Sequence, residues 1–89
     1  MIRASITISN KLGLHARASA KLTKLAGGFA CNIHLTRNGR RVNAKSIMGV
    51  MMLAAGLGSV VEIEAEGADE QDAVTALRSL VEGKFGEGE

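Results

Sequence analysis

Four short segments of this chain alternate apolar and polar residues, and each keeps its apolar residues on one side. In the first, Ile2, Ala4, Ile6 and Ile8 fall on one side and Arg3, Ser5 and Thr7 on the other. The pattern returns over 30–37, with Cys31, Ile33 and Leu35 set against Asn32, His34 and Thr36. It returns again over 40–44, with Val42 and Ala44 inward, and over 60–66, with Val61, Ile63 and Ala65 opposite Glu62, Glu64 and Glu66. A period of two sends successive side chains to opposite faces of a strand. A sheet made of such strands has one apolar face and one wet face, which favours antiparallel or mixed pairing over a doubly wound parallel sheet. Its apolar face must be covered by something else in the chain.

The segments between the strands supply the cover. Ala16 to Ala26 reads as a helix, with Ala18, Leu22, Leu25 and Ala26 on the apolar face and Arg17, Lys21 and Lys24 on the other. Gly27-Gly28 should end it through a left-handed cap. Asn38-Gly39 reads as a tight hairpin turn, since both residues tolerate positive φ. A second, shorter helix is expected from Ser46 as N-cap to Gly56 or Gly58, carrying Ile47, Met48, Val50, Met51, Met52 and Leu53. Asp69 should cap a third, whose buried stripe is Ala73, Val74, Leu77, Leu80 and Val81 and which ends near Gly83. Gly86 to Glu89 reads as a frayed tail. The order βαββαβα predicts an α+β fold: an open-faced two-layer β-sandwich, its four-stranded, mostly antiparallel sheet covered on one face by three helices. One domain over residues 1–89 accounts for the whole pattern.

Composition narrows the function classes. Apolar residues make up 46% of the chain, too many for disorder. The apolar-rich stretch from Ser46 to Val61 is broken by three glycines and is too short to span a bilayer. Met1-Ile2-Arg3 lacks a signal-peptide hydrophobic region, so a cytoplasmic location is expected. Cys31 is the single cysteine, which leaves no internal disulfide and no Cys-rich metal motif, and it reads as a buried small apolar residue. No cofactor is implied. Net charge is only +2, yet residues 1–45 hold nine of the eleven Lys/Arg and no acid, while residues 46–89 hold all nine Asp/Glu. The chain is therefore either a dipole with a basic side suited to acidic partners or phosphates, or a solvated charge pattern.

Chemistry concentrates at His15. It lies in Ser9-Asn10-Lys11-Leu12-Gly13-Leu14-His15-Ala16-Arg17, where the strand pattern stops and the helix pattern begins. Free backbone N–H groups and the positive end of the dipole collect at a helix start, which makes it an anion site. Histidine is a nitrogen nucleophile near neutral pH. A nucleophile in an anion site points to uptake of a phosphoryl group, with the Ala16 and Arg17 amides and the Arg17 guanidinium steadying its oxygens. His34, an outward strand residue with no partner motif, is read as structural.

Gly13-Leu14-His15-Ala16-Arg17, together with Asn43-Ala44-Lys45-Ser46-Ile47-Met48-Gly49-Val50-Met51, resembles HPr, the histidine phosphocarrier family of the bacterial phosphoenolpyruvate-dependent phosphotransferase system. The resemblance spans nearly the whole chain with its spacing kept. It implies that His15 is phosphorylated on Nδ1 by enzyme I and dephosphorylated by a IIA-type acceptor, so that the protein is a carrier and not an enzyme. It further implies regulatory phosphorylation of Ser46 by an HPr kinase/phosphorylase, and a docking face formed by Ile47, Met48 and Met51, to which Lys21, Lys24 and Ala20 are added. A monomer is expected. The family's motif usually has proline where this chain has Ala18, which loosens the helix start but removes no reacting atom. Thr7 to Gly13 and Lys84-Phe85-Gly86 also resemble the nitrogen-related relative of HPr. Two alternatives stay open at this point: a regulatory docking adaptor switched at Ser46 with His15 idle, and a small nucleic-acid-binding α/β domain. The second is poorly served by a chain whose only aromatic residues are Phe29 and Phe85.

Overall fold

The computed structural model describes residues 1–87. Its elements run β1 (Ile2–Thr7), α1 (Ala16–Gly27), β2 (Asn32–Arg37), β3 (Arg40–Asn43), α2 (Ile47–Met51), β4 (Val60–Glu66) and α3 (Glu70–Glu82), followed by a single 3-10 turn over Lys84–Gly86. The strands form one sheet in the order β1-β4-β2-β3, every neighbour antiparallel. This is the expected open-faced α+β sandwich. Ile6, Ile33, Leu35, Val61, Ile63 and Ala65 are buried on the inner face, where Ala18, Leu22, Val74, Leu77 and Val81 of the helices meet them. Among the described residues no helix is long and apolar enough to cross a membrane.

The topology interleaves charges that the sequence separates. β4 comes from the acidic half but lies between β1 and β2 of the basic half, pairing Arg3 with Glu64 and Thr36 with Glu62. Arg41 of β3 reaches across to Glu64 at 3.3 Å. The open face of the sheet is thus a mixed-charge surface, and the dipole reading fails there. Basic residues stay together along α1, where Arg17, Lys21 and Lys24 are all exposed, and at the β2–β3 hairpin, where Arg37 pairs with Arg40 beside Arg41.

Several local expectations are corrected. α1 ends without a left-handed residue: Gly28 sits at φ −78°, and its N–H closes onto the Leu25 and Ala26 carbonyls. β2 starts at Asn32, not Ala30, because the Ala30 and Cys31 amides are taken by the Asp69 carboxylate at 2.8 and 2.9 Å. For the same reason Asp69, although at the N-cap position of α3, makes no side-chain cap bond. Those amide hydrogen bonds, led by that from Ala30, hold the Asp69 carboxyl below its ordinary range. Burial and the neighbouring Asp69 push the Cys31 thiol up, so the buried cysteine stays a thiol and not a nucleophile. α2 has five residues and stops at Met51, well before Gly56. Leu53 and Ala55 are buried and pull the chain down onto the core, and the Arg37 guanidinium takes the Leu53 carbonyl at 3.1 Å.

One backbone approach fixes the end of β1 relative to the chain after α2. Leu14 N–H donates to the Ala55 carbonyl at 2.8 Å, while Ile8 and Ser59, and Gly58 and Ile8, pair at 2.8 Å. Gly13 lies between them at φ +65°, and a Cβ there would overlap the Ala55 carbonyl and stand 2.6 Å from the Gly56 Cα. Gly39 also has positive φ, at +80°, but faces open space. Gly39→Ala should therefore lose only the conformational term, about 1–2 kcal/mol, and Gly13→Ala clearly more, because backbone must move. Urea unfolding of both variants checks this, and equal losses would contradict it.

Candidate functional site

The turn between β1 and α1 is built so that His15 becomes the N-cap residue of α1. Its φ and ψ of −72° and 178° are extended, and its carbonyl already accepts the first helical bond, from Ser19 N–H at 2.8 Å. The Ser19 hydroxyl, fully buried, donates back to the Leu14 carbonyl at 3.0 Å. Asn10, also fully buried, donates from Nδ2 to the Gly13 carbonyl at 2.8 Å. The turn is thereby held from inside on both sides of His15. The side chain of His15 makes no cap bond, so the amides of the first turn, including those of Ala16 and Arg17, are not consumed by it. With a side-chain exposure of 27%, the imidazole is held yet reachable.

The tail supplies a partner for the ring that periodicity does not reveal. His15 Nε2 lies 2.7 Å from a Glu87 carboxylate oxygen, and Asn10 Nδ2 donates to the other oxygen at 3.1 Å. Burial pushes the Glu87 carboxyl up, but the hydrogen bonds from His15 and Asn10, with the charges of His15 and Lys21, outweigh it and hold it below its ordinary range. Lys21 Nζ donates to the Phe85 carbonyl at 2.6 Å. Lys21, expected in the docking set, is therefore already engaged with the chain's own tail. The frayed tail is corrected up to Glu87; Gly88 and Glu89 lie outside the described residues.

Ser46 caps α2, its Oγ accepting from Gly49 N–H at 3.2 Å, as expected. Val50 and Leu53 are buried, while Ile47, Met48, Met51 and Met52 are exposed. Leu12 and Leu57 are exposed as well, in the two loops that Gly13 holds together. They escape a periodicity argument because they sit in turns; an apolar residue beside a turn glycine is the signal that marks them. Lys45 Nζ donates to the Phe29 carbonyl just past α1 at 2.6 Å. α1 and α2 thus cross head to tail: His15 sits near the chain that leaves α2, and Ser46 near the other end of α1. Ala20 and Lys24 are exposed on α1 between these points. His34 is half-buried on the open face, opposite Glu64 and Asn43. It lines a hollow there with Met1, Asn32, Arg41, Glu64 and Glu66, none of which belongs to the His15 site. No group of three or more His, Cys, Asp or Glu among the described residues could hold a metal ion.

A family model described as "PTS HPr component phosphorylation site" matches residues 2–83. The chain is 63% identical over 89 residues, the whole of both sequences, to the phosphocarrier protein HPr of Cupriavidus necator. It superposes on a crystal structure of HPr-C-His from Thermoanaerobacter tengcongensis with a TM-score of 0.95, at 47% identity and 98% coverage of each chain. An HPr dimer structure from the same organism matches with a TM-score of 0.79, at 47% identity, over 98% of this chain and 100% of that one.

The contacts at Glu87 give a pH dependence with a definite sign. A carboxyl whose folded value is lowered contributes stability above its free-chain value, and that contribution is lost as pH falls through the folded value. Acidification through that window should therefore release Glu87 from His15 and Asn10, with Lys21 as the other charge facing it. The Glu87 side-chain carbon shift should titrate below the ordinary glutamate range in wild type and move up toward it in His15→Ala. An identical midpoint in both would contradict the contact.

Proposed function

The chain belongs to the HPr family of phosphocarrier proteins of the bacterial phosphotransferase system, and on that premise we propose that it accepts a phosphoryl group from phospho-enzyme I on His15 and passes it to a IIA-type protein. One observation supports this above all: His15 is the N-cap of a twelve-residue helix in a turn held by buried hydrogen bonds, at a helix start whose amides it leaves uncapped. A phosphoryl group on the ring would meet the Ala16 and Arg17 amides and the exposed Arg17 guanidinium. The chemistry needs little more than in-line positioning and neutralisation of charge. The donor and acceptor proteins supply the other half of each transfer, which makes this a carrier acting in the cytoplasm as a single copy.

Docking belongs to the exposed side of α2 and the middle of α1: Ile47, Met48 and Met51, with Met52, Leu12 and Leu57 beside them, and Ala20 and Lys24 on α1. Flexible methionines suit a surface that must fit a donor and several acceptors in turn. Ser46 is proposed as the regulatory site, acted on by an HPr kinase/phosphorylase. Its neighbour Lys45 is tied to the Phe29 carbonyl just past the end of α1 opposite His15. A phosphate there works on the docking surface rather than on the reacting ring. It would place close to two negative charges next in sequence to the exposed Ile47 and Met48, where an acidic partner must approach.

Incubation with enzyme I and phosphoenolpyruvate should give an acid-labile phosphoryl group on wild type and none on His15→Ala, whose fold is kept because a partly exposed ring is removed. Arg17→Ala should still be phosphorylated but about 10–100-fold more slowly, the worth of a charge-assisted contact. Acid-labile phosphorylation of His15→Ala would contradict the assignment. Ser46→Asp should accept phosphoryl groups from enzyme I more slowly than Ser46→Ala at low salt, the gap closing as salt rises. Equal rates at low salt would leave Ser46 as a helix cap alone.

A further inference from the structure

The matched family segment ends at residue 83, but the chain then spends unfavourable backbone to bring a carboxylate back to the site. Lys84 and Phe85 hold φ of 56° and 55°, left-handed values that side chains with a Cβ avoid, before Gly86 at 75°. The turn buries Phe85 to 1% exposure. Its ends are closed by Gly86 N–H to the Gly83 carbonyl at 3.0 Å and Glu87 N–H to the Lys84 carbonyl at 2.9 Å. Lys21 holds the Phe85 carbonyl from α1 and Asn10 holds the Glu87 carboxylate from the β1–α1 turn. A buried anchor and two side-chain ties therefore aim one carboxylate oxygen at His15 Nε2, at 2.7 Å.

The geometry points to Glu87 as a positioning residue that selects the ring tautomer of His15 and so decides which nitrogen reacts. A carboxylate only accepts hydrogen bonds, so a neutral imidazole facing it keeps its proton on Nε2 and its lone pair on Nδ1. In the transfer, which rests on the carrier reading above, the Nδ1 lone pair forms the new N–P bond. The N–P bond of the donor's phosphohistidine breaks, its electron pair returning to the donor nitrogen. Nε2 keeps its proton throughout, so the ring becomes cationic and Glu87 faces that cation. On return of the phosphoryl group to an acceptor the same steps run backwards. Lys21, facing the same carboxylate, offsets its charge toward an incoming anionic phosphoryl group.

The test reads the ring directly in the full chain labelled with 15N-histidine. In unphosphorylated wild type at alkaline pH, the ring nitrogen shifts should show the Nε2–H tautomer in about tenfold excess or more, the worth of one charge-assisted hydrogen bond. Glu87→Ala should lose most of that excess, Glu87→Gln part of it, and Glu87→Asp should restore some. Glu82→Gln, on the exposed side of α3, should match wild type. Transfer from phospho-enzyme I should slow in the same order as the tautomer excess falls. An unchanged tautomer ratio in Glu87→Ala overturns the inference even if His15 carries the phosphoryl group. A shifted ratio together with no phosphorylation of wild type overturns the carrier reading instead, and with it any catalytic meaning of the pair.

Discussion

The hydrogen bond from Leu14 N–H to the Ala55 carbonyl, with Gly13 pressed against Ala55 and Gly56, is the contact on which the site depends. It fixes where β1 ends and α1 begins, one residue before the histidine. It also ties that point to the loop leaving α2, so that His15 and the exposed apolar residues of α2 are held by one connection. A side chain at position 13 would push the two loops apart and shift the helix start that carries His15. The glycine is required here twice over, by a left-handed φ and by the lack of room.

Around that contact the molecule assigns different work to the two sides of the imidazole. Under the proposed function, the backbone amides of the first helical turn and Arg17 would meet the incoming negative charge. Glu87, brought by the tail and steadied by Asn10 and Lys21, faces Nε2, the nitrogen proposed to keep the ring proton. A carrier benefits from this separation because it must take a group and give it up again. Interactions that hold the ring in place without gripping the phosphoryl group itself serve both directions equally.

The strands were legible in the sequence because alternation is a local signal, and a sheet with one apolar face leaves few ways to bury it. His15 and Ser46 were legible because caps are local too. What could not be read depends on contacts far apart along the chain. Asp69 looks like a helix cap until the Ala30 and Cys31 amides, nearly forty residues upstream, claim its carboxylate. α2 looks longer until burial of Leu53 and Ala55, and Arg37 on the Leu53 carbonyl, end it early. The charge-split halves look like a dipole until antiparallel pairing inserts β4 between β1 and β2. Glu87 sits in a glycine-rich run with no periodicity, and only the left-handed turn at Lys84 and Phe85 returns it to His15.

Everything proposed for the His15 turn depends on which atom of this chain carries the phosphoryl group. Phosphorylation of 15N-histidine-labelled protein, followed by direct observation of the nitrogen bonded to phosphorus, answers that in one experiment. The N–P coupling is expected at Nδ1 of His15, with the proton retained on Nε2. Coupling at Nε2 of His15, or at His34, or phosphate on no histidine at all, would contradict it.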